Sequence, residues 1–266
     1  MKETSRRGPG EAPGLEIKED APSRLPGFLV AEKDFRWRGN AVSRLEGITD
    51  AVFAFAMTLL VVSLEVPRNF DAFMASILQF PAFAVCFGLL VMIWYYHFKF
   101  HRRFGLEDFT TILLNSALLF GTLFFVFPLK FVFSVLVSLW LGIDTLAADG
   151  SHAWSLGAME WRTLMLFYSG GIIYIFGILL LMNWHALRHG QELRLNPLER
   201  YLTETEIRVH AISMAMGVAS CALALLSVDW VPYSGAIYFL LGPIHGIHGY
   251  WNAVRQERMQ PVSGPA

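Results

Sequence analysis

The chain has 266 residues, 55% of them hydrophobic and only 16% charged, whereas a soluble domain carries about 25% charge. A net charge of −1 leaves no basic surface of the kind nucleic acid selects. The two cysteines, Cys86 and Cys221, both lie in apolar runs, which argues against a disulfide framework and for small buried hydrophobes.

The first thirty residues contain Pro9, Pro13, Pro22 and Pro26, several glycines and no apolar core, and 1–34 is read as one segment. Such a segment buries too little surface to offset the entropy of ordering, so it reads as a disordered tail. It is not a secretory signal peptide, and targeting falls to the first transmembrane helix.

Crossing a bilayer takes about 20 mostly apolar residues in a helix. Six stretches meet that length: 47–66, 72–96, 109–128, 162–184, 206–227 and 233–251. The expected fold class is therefore an all-α integral membrane protein with six transmembrane helices. Pro67 ends the first stretch and Pro128 the third. Beyond Pro128, residues 131–142 are again apolar. We expect a break near Pro128 and a short separate helix at the outer face, with one long tilted helix as the alternative.

Loop charge sets the orientation. Lys33, Arg36, Arg38 and Arg44 precede the first span, Lys99, Arg102 and Arg103 follow the second, and Arg188, Arg194 and Arg200 lie between the fourth and fifth. Arg255 and Arg258 follow the last. The opposite side has only Arg68 and Arg162, with Asp71, Asp144, Asp149 and Asp229. Both termini are thus expected in the cytoplasm of a cell-membrane protein, with residues 35–256 as the membrane domain and 257–266 as a second cytoplasmic tail.

The first span, from Arg44 to Val66, reads RLEGITDAVFAFAMTLLVVSLEV. Asp50 interrupts it, and an ionisable residue inside a span usually has a partner and a purpose. At about 100° per residue, Ile48, Val52, Phe55, Leu59, Val62 and Val66 form one stripe, with Asp50 about 140° from Phe55. On periodicity alone such a stripe is ordinarily a lipid-facing or packing surface, and pore lining is its less common use.

Arg44 with Ile48, Thr49 and Asp50 resembles the R-x-x-x-F-S-D signature that opens the first helix of the transmembrane protein 175 family of potassium channels. The run that follows is similar to bacterial members, as are Trp94-x-x-His97 in the second span and Leu114-Asn115 in the third. The resemblance covers about residues 40–130. It implies a homotetramer with the first helix of each subunit lining a central pore, passing potassium or other monovalent cations without a cofactor. It also implies a hydrophobic constriction in place of a carbonyl filter, and no T-V-G-Y-G-like segment is present. Carried onto this chain, the constriction is Phe55, followed by Leu59 and Val62, with Thr58 offering a hydroxyl nearby. Phe55 stands where the family has an aliphatic residue, and Ile48 where it has Phe. Arg44, Thr49, Asp50, Trp94, His97 and Asn115 become the polar anchors, with Asp50 expected to accept a hydrogen bond from Trp94 or His97.

Eight histidines support rival readings. His97/His101 and His185/His189 are i, i+4 pairs, and His245/His248 is an i, i+3 pair, so each shares a helix face. Boxes of this kind hold iron in membrane desaturases and hydroxylases, because imidazole suits such metals. A proton-coupled transporter relaying through Asp50 and a histidine is a third possibility. Gly242, Gly246 and Gly249, beside the last pair, are expected to permit close helix approach.

Overall fold

In the computed structural model, the described residues are 35–39, 42–62, 66, 68–141 and 157–259. The expectations for residues 1–34 and 260–266 lie outside them. Every regular element among the described residues is helical. The α-helices are α1 (Arg44–Val62), α2 (Phe70–Leu78), α3 (Phe80–Phe104), α4 (Phe109–Leu141), α5 (Ala158–Arg188), α6 (Pro197–Leu226), α7 (Val231–Ala236) and α8 (Leu241–Met259), with 3-10 turns at Val228–Trp230 and Ile237–Leu240. Five of these, α1, α3, α4, α5 and α6, are long and apolar enough to cross a membrane.

The helix starts follow local chemistry. At α1, the Ser43 backbone N–H donates to Glu46 Oε2 at 2.9 Å and the Glu46 N–H to Ser43 Oγ at 3.1 Å, a capping box that satisfies two otherwise orphaned donors. Asn196 and Glu199 form the same reciprocal pair at α6, with Pro197 in the first turn where its missing N–H costs nothing. Gly105, at φ +59°, ends α3, and its N–H reaches the His101 carbonyl at 2.8 Å. A left-handed residue at that place favours glycine.

Three spans depart from expectation, each at a proline. The second, expected unbroken over 72–96, is divided into α2 and α3 at Gln79, which turns back onto the Ser76 carbonyl. Pro81, two residues on, lacks the N–H that would carry the ladder across the joint. The last, expected unbroken over 233–251, is α7, a 3-10 turn at Ile237–Leu240 and α8. Here Pro243 removes a donor just after the 3-10 turn. The third span does the opposite. No break occurs at Pro128, and α4 runs on as one 33-residue helix, so the separate outer helix is not found.

Helix α4 survives its proline because both halves are held. Val126 packs with Leu60, Cys86 and Leu90, while Val132 packs with Met165, Ala224 and Val231. A break in apolar surroundings would orphan several carbonyls and N–H groups, against the single bond that Pro128 removes. At 1.5 Å per residue the helix is about 50 Å long, more than the ~30 Å hydrocarbon core, so it leans or rises beyond it.

Helices α5 and α6 pack together most extensively, and α4 joins them to α3 and α1. The largest core cluster brings Phe100, Phe104, Leu118, Leu179 and Met182 around Phe35. In contrast, a Cβ built at Gly242, Gly246 or Gly249 meets nothing within 4 Å. The close approach expected of these glycines does not occur within the subunit.

Candidate functional site

Packing against α3 and α4 separates two apolar faces of α1. Glu46, Thr49, Phe53, Ala56 and Leu60 are buried. They recur at intervals of three and four, so they form one stripe against α3 and α4. Phe55 is 57% exposed and Val62 70%; Thr58 is also exposed and Leu59 half-buried. The candidate constriction residues therefore stand outside the subunit's core. The Thr58 hydroxyl donates to the Ala54 carbonyl at 2.8 Å, a local bond that uses its proton and leaves both oxygen lone pairs open.

Most of the candidate anchors meet behind this helix. Trp94 Nε1 donates to Asp50 Oδ1 at 2.8 Å. The carboxylate sits at the edge of the subunit, exposed rather than turned inward. At the adjacent residue, Asn115 Nδ2 donates to Thr49 Oγ1 at 2.8 Å, and Thr49 donates in turn to the Leu45 carbonyl. Both Asn115 and Thr49 are buried. Together these bonds tie α1 to α3 and α4 at one level. His97 is buried too, with its ring 6.4 Å from Phe53 and 4.3 Å from His101.

Arg44 does not join them. It lies about 160° from the centre of the buried stripe and is exposed. The charge that reaches the start of α1 comes instead from Arg102, whose Nε is 3.9 Å from Glu46 Oε1 and whose Nη1 donates to the Gly39 carbonyl at 2.9 Å. A second group, equally unforeseen, joins α3 to α6: Lys99 Nζ is 2.6 Å and Arg103 Nη1 3.5 Å from Glu206 Oε1. No spacing rule announces such pairs, because their members are about 100 residues apart and meet only through packing.

Each histidine pair has its own surroundings. His185 Nε2 is 2.8 Å from Asp108 Oδ2, joining the end of α5 to the start of α4. Burial raises the Asp108 carboxyl, but hydrogen bonds from Thr111 and His185 outweigh it and hold the group below the usual carboxylate range. His245 meets Ser213 at 3.0 Å, and His248 meets Asn252. Among the described residues no three His, Cys, Asp or Glu side chains are grouped as metal ligands.

The long apolar helices and their packing define an all-α, multi-pass integral membrane protein. Residues 44–128 match the family described as endosomal/lysosomal potassium channel TMEM175. The chain is 34% identical over 232 residues to a potassium channel of Marivirga tractuosa, covering 85% of this chain and 94% of that one. A crystal structure of the potassium channel MtTMEM175, a single-residue variant bound to a nanobody–MBP fusion, matches with a TM-score of 0.73 at 33% identity, over 83% of this chain and 97% of that chain. The lysosomal potassium-selective channel TMEM175 homolog from Chamaesiphon minutus shares the fold, with a TM-score of 0.50 at 20% identity over 80% and 96% of the two chains. The chain belongs to the TMEM175 family. That membership sets aside the metalloenzyme and transporter readings of the histidines.

Proposed function

We propose that this chain is one subunit of a homotetrameric, potassium-permeable channel whose central pore is lined by α1. The observation that carries the reading is the apolar face of α1 at Phe55 and Val62, exposed in the subunit of a chain whose relatives are potassium channels. Four copies of α1 around an axis would turn these faces inward, with Phe55 as the narrowest layer, then Leu59 and Val62. A ring of four phenyl groups excludes water when closed, so opening requires the rings to swing aside and the layer to wet. Thr58 contributes a hydroxyl oxygen beside that layer. Arg44 remains a candidate anchor only towards a neighbouring subunit, since it has no partner among the described residues of its own.

We assign the basic end to the cytoplasm. The segment before α1, the end of α3 and the α5–α6 loop are in contact through Arg38, Arg102 and Arg194, and this end carries most of the loop Lys and Arg. With α7 and α8 together making a bent sixth crossing, both termini are cytoplasmic. In this reading residues 1–34 and 257–266 are the two cytoplasmic tails, and 35–256 the six-helix channel domain.

The test is ion flux from proteoliposomes loaded with potassium, sodium or protons. Potassium flux above protein-free vesicles is expected, and Phe55→Ala raises it several-fold and narrows the difference between potassium and sodium. No flux above the protein-free level overturns the channel reading. Unchanged flux in a correctly assembled Phe55→Ala variant removes Phe55 from the pore.

A further inference from the structure

The segment ahead of α1 is built into the bundle. Phe35 is 4% exposed and meets Phe104 edge to face, with ring centroids 5.6 Å apart. The Arg103 guanidinium lies 4.8 Å from the same ring. The Arg38 and Gly39 N–H groups both donate to the Arg102 carbonyl, at 3.1 and 3.2 Å. Gly39 lies so close to the last turn of α3 that a Cβ there would stand 2.5 Å from the His101 carbonyl oxygen. A side chain at that position would push the segment off α3.

On its other side the segment is held by α6. Glu199, 1% exposed, accepts from Arg38 Nη2 at 2.8 Å and from the Arg36 backbone N–H at 3.0 Å. It also closes the α6 capping box by accepting from the Asn196 N–H at 2.9 Å. Arg38 Nε adds a bond to the Leu193 carbonyl at 2.9 Å. With one guanidinium and two backbone donors, three of the roughly four acceptor sites of this buried carboxylate are filled. Losing one charge of such a pair leaves the other desolvated and uncompensated.

Arg102 carries the connection onward to α1. Its carbonyl receives the segment, and its guanidinium reaches both the Gly39 carbonyl and Glu46 in the first turn of α1. The start of α1 and the start of α6 thus face each other across residues 35–39 and Arg102.

We propose that the Arg38–Glu199 pair is a positioning element for α1: through residues 35–39 and Arg102, the α5–α6 half of the subunit sets where the first turn of α1 stands. Its consequence for conduction rests on the reading of α1 as the pore helix, whereas its structural content does not.

Two readouts separate these. Amide hydrogen exchange over residues 42–50 is measured in the assembled protein for wild type, Glu199→Gln, Arg38→Gln and the double variant. Either single change is expected to speed exchange at 42–50 by about tenfold or more, as local opening there becomes easier. Because the two act as one unit, the double variant should be no faster than the faster single variant. Arg38→Lys, which keeps the charge and loses the fork, should fall between wild type and Arg38→Gln. In bilayers the single variants should change open probability while leaving the potassium-to-sodium reversal potential at its wild-type value. Faster exchange confined to 196–200, with 42–50 unchanged, overturns the proposal, as do additive effects of the two substitutions. Altered exchange at 42–50 without altered opening retains the positioning role and counts against α1 as the pore helix. Unchanged currents in Phe55→Ala would separately mark that reading's failure.

Discussion

Asp50, Thr49 and Asn115 show how few polar groups can fix a helix in apolar surroundings. Asn115 has its amide on Thr49 and is sealed from water. Replacing it with Ala removes the donor to the Thr49 oxygen, whose own bond to the Leu45 carbonyl remains, and opens a small cavity, at a cost of about 1–3 kcal/mol. Asp50 differs, since it sits at the subunit edge with Trp94 as its partner. Asp50→Ala is therefore expected to weaken assembly before it affects ion discrimination. Size-exclusion chromatography in detergent, beside the flux assay, checks this: a variant that stays tetrameric and fully stable removes Asp50 from the anchor role. The resemblance of residues 44–50 to a known signature named Thr49 and Asp50 as candidates in advance, together with Trp94 and Asn115, and these four residues are joined in two hydrogen-bonded pairs. Arg102 and Glu46 were not legible, because nothing in either residue's neighbourhood indicates the other. Arg44 illustrates the converse. It belongs to the motif, yet the helix turns it away from every anchor.

At the scale of elements, the prolines sort by what surrounds them. Pro81 and Pro243 lie beside helix ends, where the chain can turn, whereas Pro128 lies in a helix packed on both sides of it. Sequence alone offers the same residue in all three cases, and the packing of Val126 and Val132 decides the third. The α4–α5 contact is close for a separate reason. A Cβ at Gly121 would stand 2.2 Å from the Tyr174 ring, whose hydroxyl donates to the Ala117 carbonyl at 2.9 Å. Gly121→Ala must displace that ring and break its bond to Ala117. Overpacking of this kind costs about 1–3 kcal/mol. A lowered thermal midpoint is expected, and it should be partly restored by adding Tyr174→Leu, which removes the ring. An unchanged midpoint in the single variant would mean that α4 and α5 separate freely at this level.

For the whole molecule, the question is which surfaces a lone subunit leaves uncovered. Among the described residues, the Phe55 side of α1 and the glycine side of α8 both lack partners. Lipid suffices for one apolar face, and the proposed tetramer supplies a cover for the other. Orientation is testable with an impermeant thiol reagent, because Cys86 is buried and Cys221 half-buried and both should react slowly. In right-side-out vesicles Asp229→Cys should label readily, while Gln191→Cys in the α5–α6 loop should label only after the membrane is opened. The reverse pattern would invert the topology proposed above.

By itself the sequence determined the solvent and the helical class. Apolar runs of spanning length, nearly free of charge, have one stable form in a bilayer, since every backbone donor and acceptor must be satisfied within the helix. It also determined the asymmetry of loop charge and the motif that opens α1. The tertiary structure decided which helices continue and which break, since a proline's missing hydrogen bond is weighed against the packing around it. It decided too that α1 keeps Phe53 inside and Phe55 outside, because only the neighbouring α3 and α4 distinguish two apolar faces of the same helix. And it decided that Arg38 is paired with Glu199 and Glu46 with Arg102, partners that only the folded chain brings within reach.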